Sequence, residues 1–172
     1  MKIRPATVSD ALVLAEFNRI AHDKHVEAFP ERFRRDTPDQ VVADAFAQKL
    51  QLPTHYSLIA EEDGPIAALR ADFLDIPENW HSVARRVCYL AGIVVLPAYR
   101  RQGVARALLE TLQREAEARG AMVELDVWAF NAEARQAFSK LGFASVMERM
   151  GIPAKRPNQA LEPTAAAGRG SS

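Results

Sequence analysis

Between an apolar run ending at Val95 and a helical pattern beginning near Val104, the chain places Arg100-Arg101-Gln102-Gly103, with Ala105 and Arg106 close behind. The first N–H groups of a helix have no partner within the helix and carry the positive end of its dipole. A junction of this kind can therefore hold an anion. Gly103 removes a Cβ where a ligand could approach the backbone, and Ala105 is the next smallest choice. The N–H groups of the turn could converge on a diphosphate, with Arg100, Arg101 and Arg106 adding charge. The same residues also suit a plain strand-to-helix turn with solvated arginines. A P-loop is excluded, since no lysine follows the glycine, and a dinucleotide fingerprint is excluded because its three spaced glycines are absent.

Two other groups of residues invite a chemical reading. His22 and His25 lie three apart and share a helical face, but no third ligand accompanies them, so no metal site is expected. They read as a solvated polar face or as acceptor contacts. Cys88 is the single cysteine and cannot form an internal disulfide. Its place in an apolar run suggests a buried strand residue more than a nucleophile.

The elements that must position the junction follow from periodicity. "KIRPA" reads as a first strand. Thr7, Ser9 and Asp10 offer caps to a helix through Leu12, Leu14, Ala15, Phe17, Ile20 and Ala21. Thr37 and Pro38 open a second helix, through Val41, Val42, Ala45, Phe46 and Leu50. "HYSLIAEEDG" and "PIAALRADFLDI" form a hairpin turning at Asp63-Gly64. "VCYLAGIVV" is nearly all apolar and reads as a central strand, in which Gly92 signals a bulge or a close backbone approach. A helix from about Gly103 to Arg119 has one apolar face (Val104, Leu108, Leu109, Leu112, Ala116) and stops at Gly120. "AMVELDVWAF" reads as a strand, Asn131 as the cap of a helix stopped by Gly142, and "FASVMERM" as a last strand. The order β-α-α-β-β-β-α-β-α-β indicates one α/β domain with a mixed sheet, over residues 1–152. The Pro-, Ala-, Gly- and Ser-rich segment 153–172 reads as a disordered tail.

The 172 residues suffice for one domain with a sizeable core, and 48% apolar with 26% charged residues is ordinary for a globular protein. Lys+Arg and Asp+Glu both total 22, and a dedicated nucleic-acid binder would carry a basic excess. No stretch has signal-peptide or membrane-span character, so a cytoplasmic protein is expected.

"IVVLPAYRRQGVARALLE" resembles the acetyl-CoA signature of the GNAT superfamily of N-acetyltransferases, with Val95, Pro97, Arg100, Gly103 and Ala105 in register. "ELDVWAFNAEARQAFSKLGF" resembles the family's second block, through Asn131, Ala134, Leu141, Gly142 and Phe143. Two blocks at the right separation are more specific than either alone. The resemblance implies a GNAT-like α/β (α+β) domain: a central mixed, mostly antiparallel sheet with a splayed strand pair, flanked by helices. It implies acetyl-CoA as co-substrate and an amine as acceptor, with no metal. Arg100, Arg101, Gln102, Gly103, Val104, Ala105 and Arg106 would hold the pyrophosphate. Ile93, Val94 and Val95 would run beside the pantetheine arm, and Asn131 and its helix would line the far wall. Dimers are frequent in the superfamily, so a homodimer is carried as an open expectation.

The resemblance is imperfect at the chemistry. Glu124 and Asp126 lie two apart on an expected strand and so share a face. Asp126 stands where some relatives carry a glutamate base, so it is the candidate base; its alternative is a strand-end acid paired with a surface arginine. Phe138 occupies the place where relatives often carry a tyrosine that protonates the departing thiolate. Phenylalanine cannot, so Tyr89 and Tyr99 become the candidate acids, Tyr99 with a structural reading beside it. Trp80 and Trp128 could wall an acceptor pocket or simply pack. Phe138 also leaves open a coenzyme A-binding regulatory module of the same fold. A different nucleotide-binding α/β protein has the missing P-loop lysine and glycine triplet against it.

Overall fold

A computed structural model of the chain describes residues 1–151. The expected tail at 153–172 lies outside the described residues. Five strands and four α-helices follow one another as β1 (Lys2–Pro5), α1 (Ala11–Ala28), α2 (Asp39–Lys49), β2 (His55–Glu61), β3 (Pro65–Ile76), β4 (Arg85–Val95), α3 (Val104–Ala118), β5 (Ala121–Glu124) and α4 (Ala132–Lys140). The strands stand in sequence order in one sheet. Neighbours from β1 to β4 are antiparallel, while β4 and β5 are parallel, joined through α3.

The sheet buries both faces. On one side Leu58, Leu69, Cys88 and Leu90 pack against Leu108 and Leu112 of α3. On the other, Ile59 and Ala68 pack against Leu14 and Phe17 of α1 and Phe46 of α2. Cys88 is fully enclosed, and burial pushes its thiol up to about 11, as expected of a packing residue. The register of β3 against β4 slips at one place: Arg70 faces Gly92 and Ala71 faces Leu90, leaving Ala91 as the extra residue of a bulge. Gly92 is also a close approach, because a Cβ there would lie 2.8 Å from Arg70 Nη2. Both readings of that glycine hold.

Two expected strands change. β5 ends at Glu124 instead of continuing to Phe130, because its partner β4 pairs with it only from Arg86 to Tyr89. Residues 143–150 pair with nothing and form no strand. Among the described residues no neighbouring strand offers them a ladder, and Val146 stays 90% exposed. Among the described residues no helix is long and apolar enough to cross a membrane.

The first strand is tied to the first helix by charge. Arg4 donates from Nη1 and Nη2 to the two Asp10 oxygens, at 2.8 Å each, and from Nε to Glu61 Oε1 at 2.8 Å. Thr7 adds its N–H and its hydroxyl to Asp10 Oδ2, at 2.8 and 2.9 Å. The hydrogen bonds from Arg4, above all, hold the Asp10 carboxyl well below the usual carboxylate range, against the opposing effect of its burial. A pKa depressed by folding contributes stability above the unfolded value, about 3.9, and loses it as pH falls further. Asp10→Asn should therefore lower the melting temperature at pH 7 by roughly 2–8 °C, from a loss of about 1–2 kcal/mol. The gap between wild type and variant should begin to narrow below about pH 4 and go on narrowing as pH falls toward the folded value of Asp10. A gap unchanged by pH would mean that the loss is not one of charge.

Candidate active site

The site is built where β4 parts from β5. Pairing between them stops at Tyr89–Glu124, but β4 remains paired with β3 as far as Val95. From Leu90 to Val95 the β4 edge that faced β5 therefore has no strand beside it among the described residues. Leu96 then bonds back to Ile66 O at 3.0 Å, and a short 3-10 turn, Pro97–Tyr99, leads into the junction.

That junction has an unusual backbone. Arg101 has φ of +60° and Gly103 of +84°, both left-handed. Arg101 is the one non-glycine residue with positive φ among the described residues. α3 starts immediately after. Its buried Val104, Leu108, Leu109, Leu112 and Ala116 seat it on the sheet, so the turn rests on a fixed element. Between Arg101 and Arg106, six consecutive backbone N–H groups donate to no group among the described residues. Glycine is needed at 103 for its φ and not for room within the protein, since a Cβ there meets nothing within 4 Å. Arg101, Gln102 and Arg106 are exposed. Arg100 and Gln102 brace the turn: Arg100 Nε donates to Val95 O at 3.2 Å and Gln102 Nε2 to Ala98 O at 2.8 Å. Tyr99 packs on the α3-side core, which matches its structural reading.

Across the opening, Asn131 Oδ1 accepts from Ala134 N at 3.1 Å, the expected helix cap. Phe138 is half-buried on the same core, with its ring edge-on to Phe143 at 5.6 Å. Asp126 lies in the loop beyond β5, not on a strand, so the expected shared face with Glu124 does not arise from strand alternation. The loop instead brings Asp126 to Tyr89, whose hydroxyl donates to Asp126 Oδ2 at 3.1 Å. Asp126 is exposed and forms no ion pair with an arginine among the described residues. Burial first, then the charge of Asp126, raises the Tyr89 pKa, so its phenol keeps its proton at neutral pH.

The α1–α2 face of the sheet holds features missed in the sequence. His55, Asp72, Tyr89 and Glu124 stand opposite one another across β2, β3, β4 and β5, a polar row running to the opening. Asp72 accepts from His55 at 2.7 Å and from Lys49 at 3.1 Å, and His55 meets Ser57 Oγ at 2.8 Å. The available signal was polar residues at alternate positions in otherwise apolar strands: His55 and Ser57, then Arg70 and Asp72. The two helix histidines do not form a solvated polar face. His22 Nε2 meets Arg34 O at 2.7 Å, and His25 joins an aromatic cluster with Phe33, Trp128 and Phe130. Desolvation, then neighbouring His22, lowers the His25 pKa. That cluster holds the α1–α2 connection against the β5–α4 loop. Trp128 packs within it, while Trp80 stands 94% exposed on the β3–β4 loop. No group of three or more metal-ligating side chains occurs among the described residues. A depression of about 360 Å³ lies elsewhere, at the outer edge of β5 beside Leu141 and Phe143, away from the junction.

No curated protein matches the chain significantly. Among solved structures, a tetramutant of the BH1408 protein from Bacillus halodurans is similar with a TM-score of 0.83 and 24% identity, over 90% of this chain and 100% of that one. The aminoglycoside antibiotic 6'-N-acetyltransferase AAC(6')-IG from Acinetobacter haemolyticus gives a TM-score of 0.70 at 23% identity, over 90% and 99% of the two chains. A predicted acetyltransferase from Clostridium acetobutylicum, solved with acetyl-CoA, gives 0.68 at 22% identity, over 88% and 95%. The model of the acetyltransferase (GNAT) family matches residues 17–143. With its mixed sheet, parted central strands and left-handed turn into α3, the chain belongs to the GNAT family of acetyltransferases.

Proposed function

We propose that the protein transfers the acetyl group of acetyl-CoA directly to a primary amine of a small molecule or peptide. The observation that carries this reading is the run of six N–H groups from Arg101 to Arg106 without a partner among the described residues, lying at the end of a strand edge that β5 leaves unpaired. A diphosphate fits such a cradle: the donors are consecutive, left-handed residues curve them, and the α3 dipole adds positive potential. Arg100, Gln102, Val104 and Ala105 shape the turn, while Arg101 and Arg106 offer exposed charge. The open edge of Ile93, Val94 and Val95 suits the amides of a pantetheine arm. Asn131 keeps its side-chain amide N–H groups for the far wall after its oxygen caps α4.

Direct transfer needs a neutral amine beside an oriented thioester, and side-by-side binding alone removes on the order of several kcal/mol of barrier. Asp126 serves as the base that takes the amine proton. Tyr89, protonated at neutral pH and bonded to Asp126, holds that carboxylate in place and is the candidate acid in place of Phe138. The second reading, a coenzyme A-binding regulatory module, has Phe138 in its favour, since no hydroxyl stands there. The two readings part in a titration of acetyl-CoA by calorimetry, followed by thiol release with a panel of amines. Binding with amine-dependent release supports transfer. Binding with no release for any amine supports the module, and no binding overturns both.

A further inference from the structure

Arg70 stands on β3 beneath α1 and α2, among the apolar residues of that face. Its Cζ lies 4.7 Å from the centroid of the Phe46 ring. Among the described residues its side chain makes one hydrogen bond, from Nη2 to Asn18 Oδ1 of α1 at 2.9 Å. No carboxylate forms an ion pair with it among those residues. Asp72, two positions along the same strand face, is taken by Lys49 and His55. Desolvation accordingly lowers the Arg70 pKa, although a guanidinium remains charged through the neutral range. A cation stripped of most of its water and left without a counter-charge is unfavourable, and a partner from outside would relieve it. Its unused donors Nε and Nη1 are not fully enclosed, and Arg70 is itself only part-buried.

The guanidinium adjoins the proposed reaction centre. The guanidinium lies over Gly92, where a Cβ would come within 2.8 Å of Nη2. Gly92 follows the bulge at Ala91 and directly precedes Ile93. Tyr89, the partner of Asp126, stands opposite Asp72, and Asp72 is two residues, roughly 7 Å, along β3 from Arg70. Beyond Asn18 a cleft of about 80 Å³ between α1 and α2 is lined by Arg19, His22, Arg35 and Asp39. Asp39 is paired with Arg19, whereas Arg35 has no partner among the described residues, so the surplus charge of this wall is positive.

We propose that Arg70 is the anion-recognising residue of the acceptor site, and that the acceptor is an amine which also carries a carboxylate, as an amino acid does. This rests on the acetyl-transfer reading above. The carboxylate meets the guanidinium on the edge that Asn18 leaves free, where the second Nη2 hydrogen and a neighbouring nitrogen donate in parallel. The amine then points along β4 toward Asp126. Polycationic amines, the aminoglycosides among them, are disfavoured by Arg70 and Arg35.

The test uses matched pairs, each L-amino acid against its carboxamide, with kanamycin as a polycationic probe. Acetyl transfer is followed by thiol release, and binding to the coenzyme A-loaded protein by calorimetry. For at least one pair we expect the acid to exceed its amide at least tenfold in kcat/KM, mostly through KM. Arg70→Gln should erase that preference with acetyl-CoA affinity unchanged. Arg70→Lys should keep part of it, and Gly92→Ala, which displaces the guanidinium without removing it, should weaken it. The proposal is overturned if every accepted amide equals its acid, if no acid is accepted, if kanamycin outperforms every acid, or if the preference survives in Arg70→Gln. Should that variant fail to fold, survival of the preference in full in both Arg70→Lys and Gly92→Ala overturns it equally. A wild-type protein that binds no acetyl-CoA defeats the transfer reading itself, and this inference with it. Amine turnover without an acid preference defeats this inference alone.

Discussion

Gly103→Val should lose roughly a hundredfold in acetyl-CoA affinity while remaining folded. Gly103 sits at φ +84°, a conformation that is a strong outlier for a β-branched residue. Valine there costs on the order of 1–2 kcal/mol if the turn is kept, so the turn reshapes. The N–H groups from Arg101 to Arg106 then cease to converge. Losing one or two hydrogen bonds to a charged phosphate, about 1.5–3 kcal/mol each, corresponds to roughly a hundredfold in affinity. The fold tolerates the change because Gly103 is exposed and a Cβ there meets no atom within 4 Å. Calorimetric titration with coenzyme A, set beside the melting temperature, reads both halves of the expectation. A variant that binds as wild type does would move the diphosphate site away from α3.

The residues around that turn also show what a sequence discloses. The amphipathic face of α3 and the stops at Gly120 and Gly142, with φ of +63° and +96°, are local properties, and periodicity and residue type reveal them. Gly92 was legible because glycine inside an apolar strand has few other reasons to be there. Arg101 was not legible, since arginine is a poor indicator of positive φ and only the surrounding turn imposes it. Strand ends are non-local as well. "AMVELDVWAF" has strand-forming residues throughout, yet only Ala121–Glu124 pair, because β4 leaves its neighbour after Tyr89. Cross-strand register is likewise invisible along the chain. Nothing in the spacing of His55, Asp72 and Tyr89 announces that they stand opposite one another.

The same register explains why the catalytic candidates were found for an incomplete reason. Asp126 was singled out because it stands where some relatives carry a base, while the alternation that set it on one face with Glu124 does not apply where it lies. Its partner is Tyr89, at 3.1 Å, which Glu124 faces across the sheet. In the proposed transfer, the Asp126 carboxylate and the Tyr89 phenol would act as one proton-handling unit. Phe138 contributes apolar packing beside Phe143.

Replacing Asp126 with Asn should slow single-turnover acetyl transfer on the order of 10²–10⁴-fold near neutral pH, the usual contribution of a general base. The amine must lose a proton, and a free alkylamine has a pKa of about 10.4, so almost none is neutral at pH 7. With Asp126 gone, the residual rate should climb with pH as the neutral amine fraction grows, and any limb of the profile owed to the carboxylate should vanish. Tyr89→Phe keeps the base and removes the hydroxyl that holds it, so its effect should be smaller, about tenfold. If Tyr89 also protonates the thiolate, Phe138→Tyr should restore part of the rate lost in Tyr89→Phe, because the new hydroxyl would stand at the position the family uses. Single-turnover measurement keeps product release from masking these differences. Equal rates for Asp126→Asn and wild type at every pH would remove Asp126 from the reaction and leave its bond with Tyr89 a structural one.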